Sequence, residues 1–135
     1  MADVKSSINP LFLREEELRQ GIELLFYGYR DFTGEPDSIL AEVGFGRAHH
    51  RAIHFINRDP GMTVAALLTI LRITKQSLSR VLSQLVDEGY VEQKKGVRDR
   101  RQRLLYLTEK GRDLERRVSE KQRARVAKAY QEAGA

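Results

Sequence analysis

The chain has 135 residues, a length that fits one domain with a substantial core or a protomer that shares its core with a partner. It contains no cysteine, which excludes disulfides, thiolate metal ligands and thiol-based peroxide sensing. No apolar run approaches the roughly 18 residues of a membrane span and no signal-peptide core is present, so a cytoplasmic protein without a membrane partner is expected.

The net charge of +5 is unevenly distributed along the sequence. Residues 1–60 hold seven basic against ten acidic side chains, whereas residues 61–135 hold 17 against nine. A basic half beside a mildly acidic half favours a polyanion as partner of the second half only. Basic solvated helices are common, so this charge is one line of evidence and needs a second.

The N-terminal part is predicted to form a disordered arm over residues 1–9, which are polar and aperiodic. A long helix is predicted from Leu11 to about Phe32. Its apolar stripe repeats every seven residues with intermediate positions filled, and consists of Leu11, Leu18, Ile22, Leu25, Tyr29 and Phe32. Such a stripe can face a second chain or the protein's own core, and this segment alone leaves both open.

A turn and two further helices are predicted next. Residues 33–37 combine glycine and proline and are predicted as a turn. A short helix is expected near residues 37–43 and a longer one over residues 45–58. The segment 59–61 ends the longer helix, because Pro60 cannot continue the hydrogen-bond ladder.

Two helices in close succession form the central motif of the sequence. Thr63 is predicted to cap the first helix and Thr74 the second, and only Arg72 and Ile73 form the turn between them. Apolar side chains follow one face of each helix, namely Val64, Leu67, Leu68 and Leu71, then Leu78, Val81, Leu82, Leu85 and Val86. Two short helices joined so tightly must cross steeply, which is helix-turn-helix geometry.

A basic hairpin and a final helix are predicted to follow. Residues 90–94 and 103–107 are strand candidates, and residues 95–101 form a protruding loop between them. Thr108 is predicted to cap a last helix that is broken or bent near Gly111. The apolar stripe of that helix is thin, so it is expected to be unstable alone and to depend on a partner.

Polar and basic side chains indicate nucleic acid as the ligand of this motif. The candidates on the second helix are Thr74, Lys75, Gln76, Ser77, Ser79, Arg80 and Ser83, and those in the hairpin are Lys94, Lys95, Arg98, Asp99, Arg100, Arg101 and Arg103. Serine, glutamine and arginine can hydrogen-bond base edges, and an arginine-rich loop can follow phosphates or enter a narrow minor groove. Either set alone is compatible with a solvated surface, but their combination favours DNA binding.

The same stretch resembles a known family. Residues 63–107 are similar to the DNA-binding lobe of the MarR family of bacterial transcriptional regulators. Gly96-Val-Arg-Asp-Arg-Arg101 resembles the family's Asp-x-Arg-Asp-x-Arg wing signature, and Leu107-Thr-Glu-Lys-Gly111 resembles the segment that follows it. Ile73-Thr-Lys-Gln-Ser-Leu-Ser-Arg80 is similar to the start of the recognition helix, and the resemblance extends over most of the chain.

The resemblance implies a mainly α fold with a small β-hairpin wing, a winged helix-turn-helix with N- and C-terminal dimerisation helices. The implied parts are an arm and dimerisation helix over residues 1–36, the DNA-binding lobe over 37–107 and a C-terminal dimerisation helix over 108–135. Two copies would intertwine as a homodimer and repress transcription from a pseudo-palindromic operator. Each recognition helix would enter a major groove and each wing the flanking minor groove.

The resemblance also assigns roles within the wing. Arg98 and Arg100 would be the wing-tip contacts, and Asp99 with Arg101 would hold the wing against the lobe. Gly96 stands where the signature has its first aspartate, so one stabilising contact of the wing is absent.

Two further departures from the family pattern lie outside the wing. Arg72 replaces the glycine common in the turn, where it either adopts a strained conformation or adds a phosphate contact. The chain also stops at Ala135, where family members commonly continue into a further dimerising helix.

Family members often bind small aromatic ligands between the dimer helices and the DNA lobe, and the resemblance implies such a ligand here. The candidate residues are Phe26, Tyr27, Tyr29, Arg30, His50, His54 and Phe55. Core packing explains the aromatic side chains equally well. His50 and His54 have the i, i+4 spacing of a metal-binding pair, but no third ligand is evident, and neither a metal nor another cofactor is expected. His49 is interpreted as a buried, hydrogen-bonded core residue.

The leading interpretation is a DNA-binding transcriptional regulator without enzymatic activity, because the sequence has no nucleophile–base constellation and no phosphate-binding loop. The alternative is a winged-helix module that binds protein and does not read DNA sequence. Such modules usually have neutral wings, so the arginine cluster disfavours the alternative.

Overall fold

The computed structural model describes residues 14–134, which form five helices and three short strands. In chain order these are α1 (Glu15–Glu42), α2 (Arg47–Arg58), β1 (Met62–Thr63), α3 (Val64–Leu71), α4 (Lys75–Asp87), β2 (Val91–Lys95), β3 (Arg103–Leu107) and α5 (Glu109–Ala133). The chain divides between Gly34 and Glu35 into two compact units. The predicted arm and Leu11 lie outside the described residues. None of the described helices combines the length and apolar character that crossing a bilayer requires.

Helix α1 continues through the segment 33–37, so the predicted turn there is wrong. Pro36 lies inside the helix and gives up one backbone hydrogen bond. Pro36 and Leu40, one helical turn apart, are both fully buried. Burial of these two side chains therefore outweighs the local preference of glycine and proline for a turn, and the expected short helix is the last part of α1.

The part of α1 that precedes Glu35 carries its apolar side chains on the surface. Leu18 is 51% exposed, Ile22 68% and Leu25 76%, and Phe26 and Tyr29 are also exposed. Acidic residues occupy the first turn of this helix, where they interact favourably with the helix dipole. The stripe is helical as predicted, and its members Leu18, Ile22 and Leu25 remain largely open to solvent.

The second unit encloses a single hydrophobic core. Its fully buried members come from α1, α2, α3, α4, the sheet and α5, and include Leu40, Ile53, Ile56, Leu67, Leu78, Leu85, Val91, Leu105 and Val118. Large-to-small substitution at such positions typically costs about 2–5 kcal/mol for leucine or isoleucine. The predicted apolar faces of the two central helices supply Leu67, Leu78, Val81, Leu82 and Leu85 to this core.

Helix α2 begins at Arg47, two residues later than predicted. Phe45 precedes it and is buried, with its ring 4.6 Å from that of His49 in a stacked arrangement. The Nδ1 atom of His49 accepts from Gly46 N–H at 3.1 Å, so Nε2 carries the proton and donates to Gln84 Oε1 at 2.8 Å. His49 is hydrogen-bonded as predicted, but it is half-buried and not fully buried.

The sheet contains one strand more than the sequence analysis predicts. Its order is β1-β3-β2, with Met62 opposite Leu105 on one side and Val91 opposite Leu107 on the other, both antiparallel. Strand β1 has two residues, too few to show an alternating pattern, and Gly61 N–H extends its pairing by donating to Leu105 O at 2.8 Å. The edge strand ties the start of α3 to the base of the hairpin.

Helix α5 continues through Gly111 without a break, so the predicted break is wrong, and a bend there stays a prediction. Thr108 caps the helix as predicted, its Oγ1 accepting from Gly111 N–H at 3.1 Å. The same hydroxyl donates to Gly89 O at 2.6 Å. Thr108 therefore starts α5 and joins it to the end of α4.

Candidate nucleic-acid interface

The helix-turn-helix is held by two threonine caps. Thr63 Oγ1 accepts from Ala66 N–H at 3.0 Å, and Thr74 Oγ1 accepts from Ser77 N–H at 3.0 Å. Thr74 also donates to Ser77 Oγ at 2.9 Å. Both predicted caps are confirmed, and the Thr74 and Ser77 hydroxyls bond to each other at the start of α4.

Helix α4 divides cleanly into a buried and an exposed face. Leu78, Val81, Leu82 and Leu85 are buried. The exposed positions are those singled out for DNA contact, namely Lys75, Gln76, Ser79, Arg80 and Ser83. A helix held on its apolar face presents these side chains outward in a fixed arrangement.

A cavity of about 680 Å³ lies between α3, α4 and the hairpin strands. Its lining includes Lys75, Gln76, Ser79, Ser83, Gln93 and Arg103. Four candidate contacts of the helix and one of the hairpin therefore share one concave surface. The sequence places these residues in two separate segments, and the fold brings them together.

The loop between β2 and β3, residues 96–102, is closed by backbone hydrogen bonds. Gly96 N–H donates to Gln102 O at 3.0 Å, and Gln102 N–H donates to Asp99 O at 3.0 Å. A Cβ on Gly96 would stand 2.5 Å from Asp99 O, so only glycine fits without a shift of the loop. Where the family signature has its first aspartate, this chain therefore has a glycine that allows the Asp99 carbonyl oxygen to approach closely.

Asp99 and Arg101 form the expected pair inside this loop. Arg101 donates to the carboxylate through its backbone N–H at 3.0 Å, Nε at 3.1 Å and a terminal nitrogen at 3.2 Å. The Arg101 side chain, and then its backbone N–H, lower the pKa of Asp99 below its ordinary value. The Arg101 side chain is 91% exposed and both partners belong to the loop. The pair therefore shapes the loop from within, and its predicted role of holding the wing against the lobe is wrong.

The other hairpin cations are directed to solvent. Within residues 14–134, Arg98, Arg100 and Arg103 are exposed and have no ion-pair partner. Lys94 and Lys95 are exposed as well, and Lys94 Nζ lies 5.0 Å from the centre of the Tyr106 ring. These charges repel one another where no anion is present.

Contacts of two basic residues, absent from the sequence-based candidates, attach α5 to the end of α4 and to the base of the hairpin. Lys110 Nζ donates to Glu88 O at 2.9 Å and lies 4.5 Å from the centre of the Tyr90 ring. Arg112 donates to Leu107 O at 3.0 Å. Both basic residues sit in the first turn of α5, directly after the threonine cap, and this position is the signal that could have identified them.

The candidate ligand residues fall in both compact units. On α1, the Arg30 guanidinium lies 4.9 Å from the centre of the Tyr27 ring, and Phe26 meets Tyr27 edge to face. These side chains and Tyr29 are exposed. The aromatic ligand remains a prediction.

On α2, the candidate ligand residues His50, His54 and Phe55 are half-buried, and the His54 and Phe55 rings meet edge to face at 4.9 Å. The Nε2 atom of His50 is buried without a hydrogen-bond partner in the described chain. Burial is the main cause that lowers the pKa of His50, followed by the nearby His54. Residues 14–134 contain no group of three or more acidic or histidine side chains placed to hold a metal.

A buried carboxylate links α2 to α5. Glu115 accepts from Asn57 Nδ2 at 3.2 Å and from the Ser119 hydroxyl, and His54 Nδ1 lies 3.7 Å from it. Neither Glu115 nor Ser119 is among the candidate residues predicted from the sequence. Their polar side chains interrupt the thin apolar stripe of α5, and such an interruption is a signal for a buried polar contact.

Comparison with known proteins agrees with this architecture. Residues 43–102 match the sequence profile of the MarR family. The chain is 59% identical over 124 residues to the HTH-type transcriptional regulator PetP of Rhodobacter capsulatus, covering 92% of this chain and 75% of that protein.

Solved structures share the fold at lower sequence identity. FabT of Streptococcus pneumoniae, solved in complex with DNA, superposes with a TM-score of 0.76 at 23% identity, covering 84% of this chain and 82% of that one. The MarR family transcription regulator SP03579 gives a TM-score of 0.73 at 19% identity, over 86% and 77% of the two chains. The predicted winged helix-turn-helix fold is confirmed, and the family is not a class of enzymes. The chain belongs to the MarR family of HTH-type transcriptional regulators.

Proposed function

We propose that this regulator binds double-stranded DNA sequence-specifically as a homodimer on a pseudo-palindromic operator and represses transcription. The observation that carries the proposal is the wing, where Arg98, Arg100 and Arg103 are exposed and unpaired within residues 14–134. Beside it, the outward face of α4 offers serine and glutamine side chains on a surface shared with Arg103.

The wing cations would supply most of the affinity. Each phosphate that they neutralise releases condensed counterions, so binding should weaken steeply as salt rises. The repulsion among the exposed cations is relieved in the complex, because the DNA provides the missing anions. Asp99 is already paired with Arg101, which leaves Arg98 and Arg100 available for the minor groove.

The exposed face of α4 would supply the base contacts. Gln76 can bond an adenine edge, Arg80 can bond a guanine edge, and Ser79 and Ser83 can bond either. The helix is fixed on its apolar face and capped by Thr74, so these side chains would enter the major groove in a defined register. FabT, which has the same fold, has been solved bound to DNA, and this supports the assignment.

The homodimer is inferred from apolar surface that a stable monomer rarely exposes. Leu18, Ile22 and Leu25 of α1 and Tyr130 near the end of α5 are each more than half exposed. Burial of apolar surface stabilises by about 25 cal/mol per Å², so covering these side chains favours association. A two-fold dimer would present two recognition helices to half-sites roughly 34–36 Å apart.

The proposal has three further parts, which are repression, location and response to a ligand. Repression requires an operator that overlaps a promoter, and binding to the chromosome of a bacterium would occur in the cytoplasm. A small aromatic ligand would change the affinity of the regulator for DNA. A reporter gene with the operator placed over its promoter tests the first part, and we expect lower expression when the regulator is present.

The main experiment is a selection of bound duplexes from a random library with the full chain. We expect an enriched motif with two inverted half-sites centred about 10 base pairs apart, bound at least about 10³-fold more tightly than a scrambled duplex. A Gln76→Ala variant should lose preference at one position of each half-site, whereas Lys121→Gln, an exposed change on α5, should not. Binding without any enriched motif and lost in moderate salt would overturn the proposal in favour of an accessory module.

A further inference from the structure

The turn between α3 and α4 contains an arginine in the left-handed backbone region. Arg72 has φ 56° and ψ 40° and is the one non-glycine residue with positive φ in the described chain. At the other positive-φ positions the residue is glycine, namely Gly44, Gly61, Gly89 and Gly134. A side chain in this conformation opposes folding, because its Cβ crowds the following carbonyl oxygen.

The fold does not explain why this position holds arginine. The structural task of residue 72 is performed by its backbone N–H, which donates to Leu68 O at 3.0 Å and closes α3. Glycine would supply the same N–H without the steric cost. The Arg72 side chain is exposed and has no ion-pair partner among residues 14–134, so no ion pair within the described chain accounts for it.

The location of Arg72 beside the start of α4 explains an arginine at this position better than the fold does. Arg72 lies three residues before Lys75 and four before Gln76, and three Cα–Cα steps span at most roughly 11 Å. Lys75 and Gln76 lie on the exposed face of α4, on the surface shared with the hairpin. Arg72 is not itself part of the lining of that surface, but three residues from it the chain carries a guanidinium, a planar group whose paired N–H donors match the oxygens of a phosphate.

We propose that Arg72 binds a backbone phosphate of the DNA, and that this contact is the reason for arginine at a turn position suited to glycine. The inference rests on the proposed function. Phosphate contacts position a protein without reading sequence. Arg72 should therefore contribute equally to specific and non-specific binding, unlike Gln76.

The test uses the full chain with Arg72→Gly, Arg72→Asn and Arg72→Lys, titrated against the selected operator and a scrambled duplex. Lys121→Gln is the charge-matched control. We expect Arg72→Gly to unfold about 3 °C higher than the wild type at equal protein concentration. We expect it to bind both duplexes about tenfold more weakly, with a salt slope shallower by about one for each arginine removed.

The two other substitutions distinguish the effect of the side-chain charge from the effect of the left-handed backbone conformation. Arg72→Asn tolerates the left-handed conformation without charge and should bind as weakly as Arg72→Gly. Arg72→Lys keeps the charge and should retain most of the affinity. It should also remain as stable as the wild type.

Two results would overturn the inference while leaving DNA binding intact. One is wild-type affinity and salt slope in both Arg72→Gly and Arg72→Asn. The other is an equal loss in Lys121→Gln, which would assign the effect to net charge. If the wild type itself binds neither duplex, the proposed function fails, and the inference fails with it.

Discussion

A Cβ placed on Gly111 would stand 2.2 Å from the carbonyl oxygen of Tyr90, closer than any side chain can approach without a shift. Gly111 lies in the first turn of α5, and Tyr90 directly precedes β2. The same carbonyl accepts from Thr108 N–H at 3.0 Å. Glycine at residue 111 therefore allows α5 to pack directly on the base of the wing.

Gly111→Ala should destabilise the protein even though alanine is the better helix former. Alanine favours the helix by about 1 kcal/mol, but overpacking typically costs about 1–3 kcal/mol. We expect a net loss of about 1 kcal/mol in the free energy of unfolding, measured by urea titration. Gly34→Ala is the matched control, because nothing lies within 4 Å of its added methyl group. It should be neutral or stabilising, and a Gly111→Ala variant as stable as the wild type would contradict the packing argument.

Gly96→Asp, which restores the first residue of the family's wing signature, should weaken DNA binding. Its Cβ would collide with Asp99 O, and the new charge would repel phosphate. We expect about tenfold weaker binding in a fluorescence anisotropy titration. Gly96→Ala introduces the collision without the charge and should lose about threefold. If Gly96→Asp binds as tightly as the wild type, the loop does not require glycine.

Leu25→Glu should convert the proposed dimer to a monomer. Leu25 is 76% exposed in the single chain, so a charge there leaves the fold intact but opposes burial against a partner. Sedimentation velocity should show half the wild-type mass, with unchanged helical circular dichroism. Gln20→Glu adds the same charge away from the apolar stripe and should remain dimeric. Persistence of the Leu25→Glu dimer would place the interface elsewhere.

Acidification should destabilise the fold through His50. The pKa of His50 is below its ordinary value of 6.5, chiefly because of burial and then because of His54, while Glu115 and Asp37 act in the opposite direction and Arg51 in the same one. As pH falls below about 6.5, the unfolded chain therefore binds more protons at His50 than the folded chain does. The contribution of neutral His50 to the free energy of unfolding should be fully present above pH 6.5 and should be lost as pH decreases toward the folded-state pKa. His50→Gln should reduce this slope in urea titrations between about pH 7 and 5, and an unchanged slope would refute the assignment.

Features set by nearby residues were predictable from the sequence. Thr63, Thr74 and Thr108 each cap a helix as predicted, because a cap is a contact between a hydroxyl and an amide three residues later. The apolar faces of the central helices follow from their period, and the strand 103–107 was predicted with its exact bounds.

Features set by distant residues were not predictable in this way. Pro36 and Gly111 favour a break locally, yet both lie inside helices because of what packs against them. Strand β1 exists only through its partner β3. The residue types of the wing were evident from the sequence. Outside the wing, Asn57 on α2 pairs with Glu115 on α5, 58 residues away, and a local sequence pattern does not predict a contact between such distant positions.

DNA binding by the wing is tested by the salt dependence of operator binding, compared between the wild type and Arg98→Ala/Arg100→Ala. The full chain is titrated from about 50 to 300 mM salt, with Arg58→Ala/Lys121→Ala as an equal loss of charge away from the wing. We predict that the wing variant binds at least about 100-fold more weakly at low salt, with a slope shallower by about two to four, while the control resembles the wild type. Equal affinity and slope in the wing variant and the wild type would show that the wing does not bind DNA.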